Sequence, residues 1–551
     1  MIAFEGLDEN FRFIVLEVEK QVRATADFVS APGRQLYNRI VSRDDYVDNL
    51  KTIIENKCYS RIHSDKQLDS RQVNKIRSMQ VMCVNLERIA DYCVNIVRQV
   101  GYLQDTRQLD EYPSEELYAL ISASLAGILD AFRKEDMSAA LAICKAEYEL
   151  DRMYKENFDR LLVDLGSGRN VQSLVTVLFI FRYLERIGDS LLNIGEALIF
   201  SILGERIKIE QFDSLQQTLS KSGFSESFSD IDFQSIWGTR SGCRIGRVER
   251  REHGGDTDGM DVHGGIYKEG GLEKIRKERD NIERWKAIFP GLVADVYGYH
   301  EDGSRASLLV EFLPGCTLDE VVLGSDEDFL SNAVFVFEQT VRNVWETTMR
   351  REPVKVDFIR QLNSRLEDVL QVHPEFRRES RRLGDSRISG SNELLSRCAE
   401  LEAELEAPFT VFIHGDFNVN NVVYDHAGQQ IHFIDLYRSR DYDYVQDVSV
   451  FLVSNFRMPI FQDAMRARLN GIIGEFHRFA KEFSQSQGDE TFEARMAFAL
   501  ARSFYTSTRF ELNHRFAREM FNRALFLLER ISNFAGNDWR SFKFPAQVLY
   551  Y

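Results

Sequence analysis

Between Val411 and Phe451 the chain reads VFIHGDFNVNNVVYDHAGQQIHFIDLYRSRDYDYVQDVSVF, and its short apolar runs end on acids and amides. Val411-Phe412-Ile413 is strand-like, and His414-Gly415-Asp416 breaks it with a turn that leaves a carboxylate exposed. Asn421 follows five residues after Asp416. A second apolar stretch, Val422 to Tyr424, is joined by a turn at Asp425 to Gly428 to the run Ile431 to Ile434, which ends on Asp435. Such a hairpin delivers Asp416, Asn421 and Asp435 to one end. A hairpin with merely solvated acids would alternate polar and apolar residues along its strands instead of collecting the polar ones at the ends.

These residue types suit phosphoryl transfer. An attacking hydroxyl needs a carboxylate to orient it and take its proton, and nucleotide-bound Mg²⁺ needs the hard oxygens of an Asn amide and an Asp carboxylate. The series His-Gly-Asp, four residues, Asn, then an Asp closing the next strand resembles the aminoglycoside phosphotransferase and choline kinase group, relatives of the protein kinases. The resemblance implies an α+β bilobal kinase-like fold that uses ATP and Mg²⁺. It also implies Asp416 as catalytic base, Asn421 and Asp435 as Mg²⁺ ligands, and Asp447 as a structural acid starting a helix beneath the loop.

A chain of 551 residues has room for two or three domains. Its net charge of −17 argues against broad binding to nucleic acid or anionic lipid. Seven scattered cysteines without a Cys-x-x-Cys pair fit reduced thiols in the cytoplasm. Met1 to Phe13 lacks a basic start and an apolar core, so no secretory signal is expected. The most apolar segment, Ser173 to Gly204, is interrupted by Arg182, Glu185, Arg186, Asp189 and Glu196, which leaves peripheral membrane association at most.

The first two hundred residues predict helices in a repeat. Only Pro32 and Pro113 interrupt residues 7–207, and Leu86-Glu87-Arg88-Ile89-Ala90-Asp91 is matched 98 positions later by Leu184-Glu185-Arg186-Ile187-Gly188-Asp189. Asp44 and Asp48 precede the first copy, and Glu147 and Asp151 the second. Like charges one turn apart cost a helix a few tenths of a kcal/mol, and a bound cation would reverse that sign. This half resembles the phosphate-uptake regulator PhoU, an all-α tandem pair of three-helix bundles with repeats here at about 7–105 and 113–207 of a domain spanning 1–210. The resemblance implies iron, manganese or zinc on the eight acids, or a docking face in their place. It also implies phosphate transporter or sensor kinase components as partners, and admits a homodimer.

Residues 211–230, rich in serine, read as a linker. A kinase-like small lobe is expected over 231–315 and a large lobe over 316–551. Gly238, Gly242 and Gly246 could fold a loop over phosphates or form a plain hairpin, and the polar stretch Arg250 to Gly264 reads as a solvated insertion. By the resemblance, Lys268 holds the nucleotide phosphates and pairs with Glu278, and backbone groups of Glu311 to Leu313 meet adenine. Helices are predicted over Asn332–Met349, Val356–Val372, Asn392–Glu406, Met465–Phe483 and Thr491–Phe534. Arg438, Arg440, Arg457 and Arg502 are candidates to face an anionic substrate.

The expectation is therefore a multidomain cytoplasmic fusion of a PhoU-like helical domain with an ATP-dependent phosphotransferase acting on the hydroxyl of a small molecule or a protein. The alternative is a regulatory adaptor that binds nucleotide without turnover.

Overall fold

The computed structural model describes residues 5–64, 68–103, 109, 111–204, 214–219, 231–235, 244–250 and 264–551. They form two compact units, Met1–Gly270 with Tyr297–Leu309, and Gly271–Val296 with Val310–Tyr551.

The first unit opens with six long helices: α1 (Glu5–Ser30), α2 (Arg34–Ser64), α3 (Ser70–Val100), α4 (Glu115–Lys134), α5 (Met137–Gly166) and α6 (Val171–Leu203). Starts are fixed by side chains as well as by periodicity: Asp69 and Gln72 form a capping box on α3, and Asp136 caps α5. Met82, Leu86, Ile89, Cys93 and Ile96 of α3 and Leu184, Ile187, Leu191, Ile194 and Leu198 of α6 are fully buried at three-and-four spacing. The two triplets thus share one continuous core, as the duplicated motif requires. A Cβ on Gly195 of α6 would come 2.3 Å from the Cys144 sulfur of α5, so only glycine allows this close approach.

The serine-rich segment departs from its reading as a linker. Residues 214–219 form a helix, α7, and its Leu215 and Leu219, one turn apart, are buried with Tyr267 and Leu309. Met137, Leu141 and Leu203 of the helical bundle pack on the same cluster, and Thr218 shares a 2.7 Å hydrogen bond with Ser307. Two leucines at i and i+4 are enough apolar face to seat this single turn and a half. The rest of 205–230 lies outside the described residues.

A five-stranded sheet follows, in the order β1-β2-β3-β5-β4, from β1 (Ile231–Ser235), β2 (Arg244–Arg250), β3 (Gly265–Gly271), β4 (Val296–Asp302) and β5 (Arg305–Glu311). The expected phosphate loop at Gly238 and Gly242, and the polar insertion after Arg250, fall outside the described residues; Gly246 is a β2 residue opposite Ser235 and Tyr267.

The second unit is mixed α/β with small sheets. Its first helix, α8 (Leu272–Ile288), buries Ile275, Glu278, Ile282 and Trp285 along one face. Two long helices predicted from sequence are broken. Val356–Val372 divides into Phe358–Asn363 and Leu366–Val372, and Thr491–Phe534 into Phe492–Ser507, a 3₁₀ turn Thr508–Phe510 and His514–Asn533. The last restart is set by Asn513, whose side chain accepts from the amides of Arg515 and Phe516. Phe504, Tyr505 and Phe516 are core residues. Among the described residues no helix is long and apolar enough to cross a membrane.

Candidate active site

The catalytic-loop segment is held by backbone pairing on both sides. Strand Val411–Ile413 pairs antiparallel with Arg440–Tyr442, and Val422–Asp425 pairs with Gln430–Phe433 in the register Val422↔Phe433. The strand before His414 therefore belongs to a different sheet from the hairpin. That register sets Asn421 beside Ile434 at the hairpin's open end, where the Ile434 amide donates to the Asn421 carbonyl at 3.1 Å. The Asn421 side-chain NH₂ in turn donates to the Asp416 carbonyl at 2.8 Å. Asp416, Asn421 and the residue preceding Asp435 are thus linked in one short chain of hydrogen bonds.

Two residues adopt left-handed backbone here. Gly415 has φ +83°, and a Cβ on it would lie 2.3 Å from the Arg438 carbonyl. Asp435 has φ +63°, uncommon for a residue with a side chain and often retained at functional positions. Beneath the turn, the buried Asp447 carboxylate accepts from the amides of His414 at 2.7 Å and Gly415 at 2.9 Å. Burial pushes Asp447 up to about 7 in spite of those two bonds. His414 is buried, its Nε2 is 3.0 Å from the Ile434 carbonyl, and its Nδ1 accepts from the Asp416 amide at 3.3 Å, which fixes the tautomer. Desolvation pulls its pKa down, so it is a neutral brace.

The Asp416 carboxylate accepts from the Asn418 side chain at 2.7 Å and faces Arg438 at 3.1 Å. Neither Asn418 nor Ser439 stands out in the sequence, yet Ser439 accepts from Trp285 Nε1 at 2.9 Å and donates to the His414 carbonyl at 3.1 Å. Asn281 adds hydrogen bonds to the carbonyls of Leu436 and Ser439. Asn418 and Ser439 lie in loops and Asn281 on α8, and none of the three carries a motif that would single it out.

The donor set of a Mg²⁺ site fits the residues present. Because the Asn421 NH₂ donates to the Asp416 carbonyl, its amide oxygen is the atom that would face a cation, and Asp435 would add a carboxylate. Elsewhere, Lys268 of β3 and Glu278 of α8 are both buried, and they belong to different compact units. The Glu311 amide donates to the Asp295 carbonyl at 2.8 Å and its carboxylate accepts from the Asp295 amide, so its backbone donor is already used; Leu313 is half-buried in the following segment.

The eight acids of the helical half assemble by repeat. Asp44 is pushed up to about 6, first by burial and then by the charges of Asp91, Asp45 and Glu87. Glu147 is raised by burial and by Asp151, Asp189 and Glu185. Several acids already have basic partners: Lys51 bridges Asp48 and Glu87 at 2.9 Å each, Lys155 pairs with Asp151, and Arg182 and Arg186 pair with Glu185 and Asp189. Among the described residues the only group of three potential metal-ligating side chains within 4.8 Å is His373, Glu375 and His514, outside these motifs.

The PhoU domain profile matches residues 15–100 and again 115–198, and the profile described as the phosphotransferase enzyme family matches residues 338–505. The chain joins a PhoU domain to a phosphotransferase-family domain. Its PhoU half is 26% identical over 195 residues to the phosphate-specific transport system accessory protein PhoU homolog of Clostridium acetobutylicum, covering 35% of this chain and 88% of that protein. It is 28% identical over 192 residues to the Zymomonas mobilis homolog, covering 34% and 80%. Among solved structures it is similar to PhoU from Pseudomonas aeruginosa (25% identity, TM-score 0.33, 37% of this chain and 99% of that one). Similarity was also found to the solved structure of an ethanolamine kinase from Plasmodium vivax (11% identity, TM-score 0.32, 56% of this chain and 84% of that one). The two PhoU matches coincide with the two helix triplets, α1–α3 and α4–α6.

Proposed function

We propose that the phosphotransferase domain transfers the γ-phosphoryl group of Mg·ATP to a hydroxyl acceptor, under the influence of the PhoU domain. The observation that carries this reading is the tethering of Asp416, Asn421 and the strand end at Asp435 to one another, with the loop braced from below by Asp447. Asp416 orients the acceptor hydroxyl and takes its proton. Asn421 and Asp435 hold the metal, which when bound neutralises charge on the nucleotide phosphates. Lys268 is assigned a phosphate-contacting role, and the segment Glu311 to Leu313 an adenine-contacting one.

The PhoU domain is assigned a role in phosphate-responsive regulation, with transporter or sensor kinase components as partners. Its acidic faces offer carboxylates to iron, manganese or zinc in exchange for Lys51 and its counterparts. A cytoplasmic location is consistent with the six described cysteines being free thiols. Titrating the full chain with Mg·ATP and measuring phosphate transfer tests the catalytic reading. Turnover above background that vanishes in Asp416→Asn is expected; nucleotide binding with no turnover would replace it with the adaptor reading. One observation favours that alternative: Arg438 and Asn418 already engage both Asp416 carboxylate oxygens.

A further inference from the structure

Four arginines surround the Asp416 end of the large lobe. Arg438 faces the Asp416 carboxylate, and Arg457, at the end of helix Val445–Phe456, reaches the Asn418 amide oxygen at 3.4 Å. Arg509, in the 3₁₀ turn Thr508–Phe510, donates to the Thr506 carbonyl at 2.9 Å and lies over the Phe510 ring at 4.2 Å. Arg502, on helix Phe492–Ser507, stands apart from the other three. Its Nε and Nη2 atoms are sealed from solvent and have no hydrogen-bond partner among the described residues, while its guanidinium carbon is 5.8 Å from the Phe358 ring.

The carboxylates nearby do not cancel this charge. Asp416 is paired with Arg438, Asp368 lies 3.6 Å from Arg365, and Asp447 directs both oxygens at backbone amides. Burial and the neighbouring Arg438 bring Arg502 down to about 10, opposed by Tyr442, Asp416 and Asp447. Burial, Arg365 and Arg438 do the same to Arg509. A chain of net charge −17 thus concentrates positive charge beside its candidate base. Two solvent-sealed N–H groups of a half-buried arginine, unmatched among the described residues, are costly unless an anion completes them, and the planar fork matches a carboxylate or a phosphate.

We propose that the hydroxyl acceptor carries an anionic group, a phosphate ester or a carboxylate, received by Arg502, with Arg509 and Arg457, which share the Phe510 ring, adding positive charge. This rests on the phosphotransferase reading above. In the transfer, the acceptor oxygen bonds to the γ-phosphorus as the bond from that phosphorus to the β–γ bridging oxygen breaks. The acceptor proton passes to Asp416 and ADP leaves. Cationic amino alcohols are disfavoured, because their charge would meet this group of arginines.

The test uses the full chain with its nucleotide site filled by Mg·AMP-PNP. Glycerol 3-phosphate, glycerate, glycerol and ethanolamine are each titrated calorimetrically and offered as acceptors with Mg·ATP. Binding of at least one of the two anions, and of neither uncharged nor cationic alcohol, is expected. Arg502→Gln should weaken that binding about ten- to hundred-fold, the loss of a charge-assisted fork, with AMP-PNP affinity within about two-fold of the parent. Arg502→Lys should recover part of it, and Arg509→Gln provides a second variant should Arg502→Gln melt early. Absence of anion binding, better binding of ethanolamine, or an Arg502 effect on AMP-PNP instead of the anion would overturn the proposal. Arg502-dependent anion binding with no phosphate transferred would sustain the anion site and overturn the transferase reading alone.

Discussion

Asp447 Oδ1 accepts the Gly415 amide at 2.9 Å, one residue before the candidate base, from a side chain that is only 3% exposed. With Oδ2 on the His414 amide, one carboxylate fixes both residues that lead into Asp416. Asp447→Ala leaves two buried amides unmatched, at about 1–3 kcal/mol each. Urea denaturation should therefore show a loss of about 2–5 kcal/mol, and surviving protein should lose turnover more than Mg·ATP affinity. A variant as stable and as active as the parent would remove Asp447 from this bracing role.

The chemistry separates by residue. Asp416→Asn keeps the Asn418 contact geometry but removes proton acceptance, and transfer should fall about 10²- to 10⁴-fold with nucleotide affinity largely kept. Asp435→Ala should instead raise the Mg²⁺ concentration needed for half-maximal rate. Initial rates over a magnesium series distinguish the two, and unchanged rates in both variants would refute the site.

Stability should depend on pH through Glu338. Burial, followed by repulsion from Glu475, pushes its carboxyl up to about 7. An unfolded Glu titrates near 4.3, so between about pH 4 and 7 the folded state holds more protons than the unfolded one, and stability falls as pH rises through that window. Glu338→Gln stays neutral throughout. It should match the parent near pH 4 and exceed it at pH 8 by about 1–2 kcal/mol after allowing for solvent screening. Parallel denaturation curves at the two pH values would show that Glu338 is not the titrating group.

Much of this arrangement was legible in the sequence because it rests on local pattern. The 98-residue repeat and its apolar spacing predict the six helices of the PhoU half, and the strand-ending acids predict the tethered Asp416 and Asn421. What sequence did not reveal depends on contacts across long separations. Asn281 and Trp285 reach Leu436 and Ser439 across more than 150 positions, and no local pattern marks either end. The break at Asn513 was readable in principle from its capping side chain, but continuous apolar spacing on both sides masked it. Acidic pairs are equally ambiguous, because a one-letter sequence does not tell whether Lys51 or a cation sits between Asp48 and Glu87.

That last ambiguity has a direct test. If transition metal displaces Lys51, purified protein should contain it by elemental analysis, and adding manganese or zinc to stripped protein should raise its melting temperature. Asp44→Asn and Asp91→Asn should each abolish the shift, while raising the metal-free stability above pH 6 by removing a mutual repulsion. Stripped parent protein that shows neither metal nor shift would leave these faces as docking surfaces.

The sequence favoured a simple tether between the halves, since Gln211 to Asp230 is serine-rich, and a tether transmits nothing. The buried turn of α7 argues for coupling. Leu215 and Leu219 join Met137 and Leu141 of α5 and Leu203 of α6 to Tyr267 and Leu309, and Tyr267 immediately precedes Lys268 on β3. A change in the bundle therefore has a packed route to the strand assigned to the nucleotide phosphates, and interior packing transmits displacement instead of absorbing it. Leu219→Ala, 3% exposed in the parent, should cost about 2–4 kcal/mol locally and weaken Mg·ATP binding several-fold in the full chain. Reciprocity requires that nucleotide shift metal or partner affinity of the PhoU domain by the same factor that those ligands shift nucleotide affinity. Calorimetric titration of Mg·ATP into parent and Leu219→Ala, each with and without manganese, measures both. Nucleotide affinities that agree in all four titrations would restore the tether.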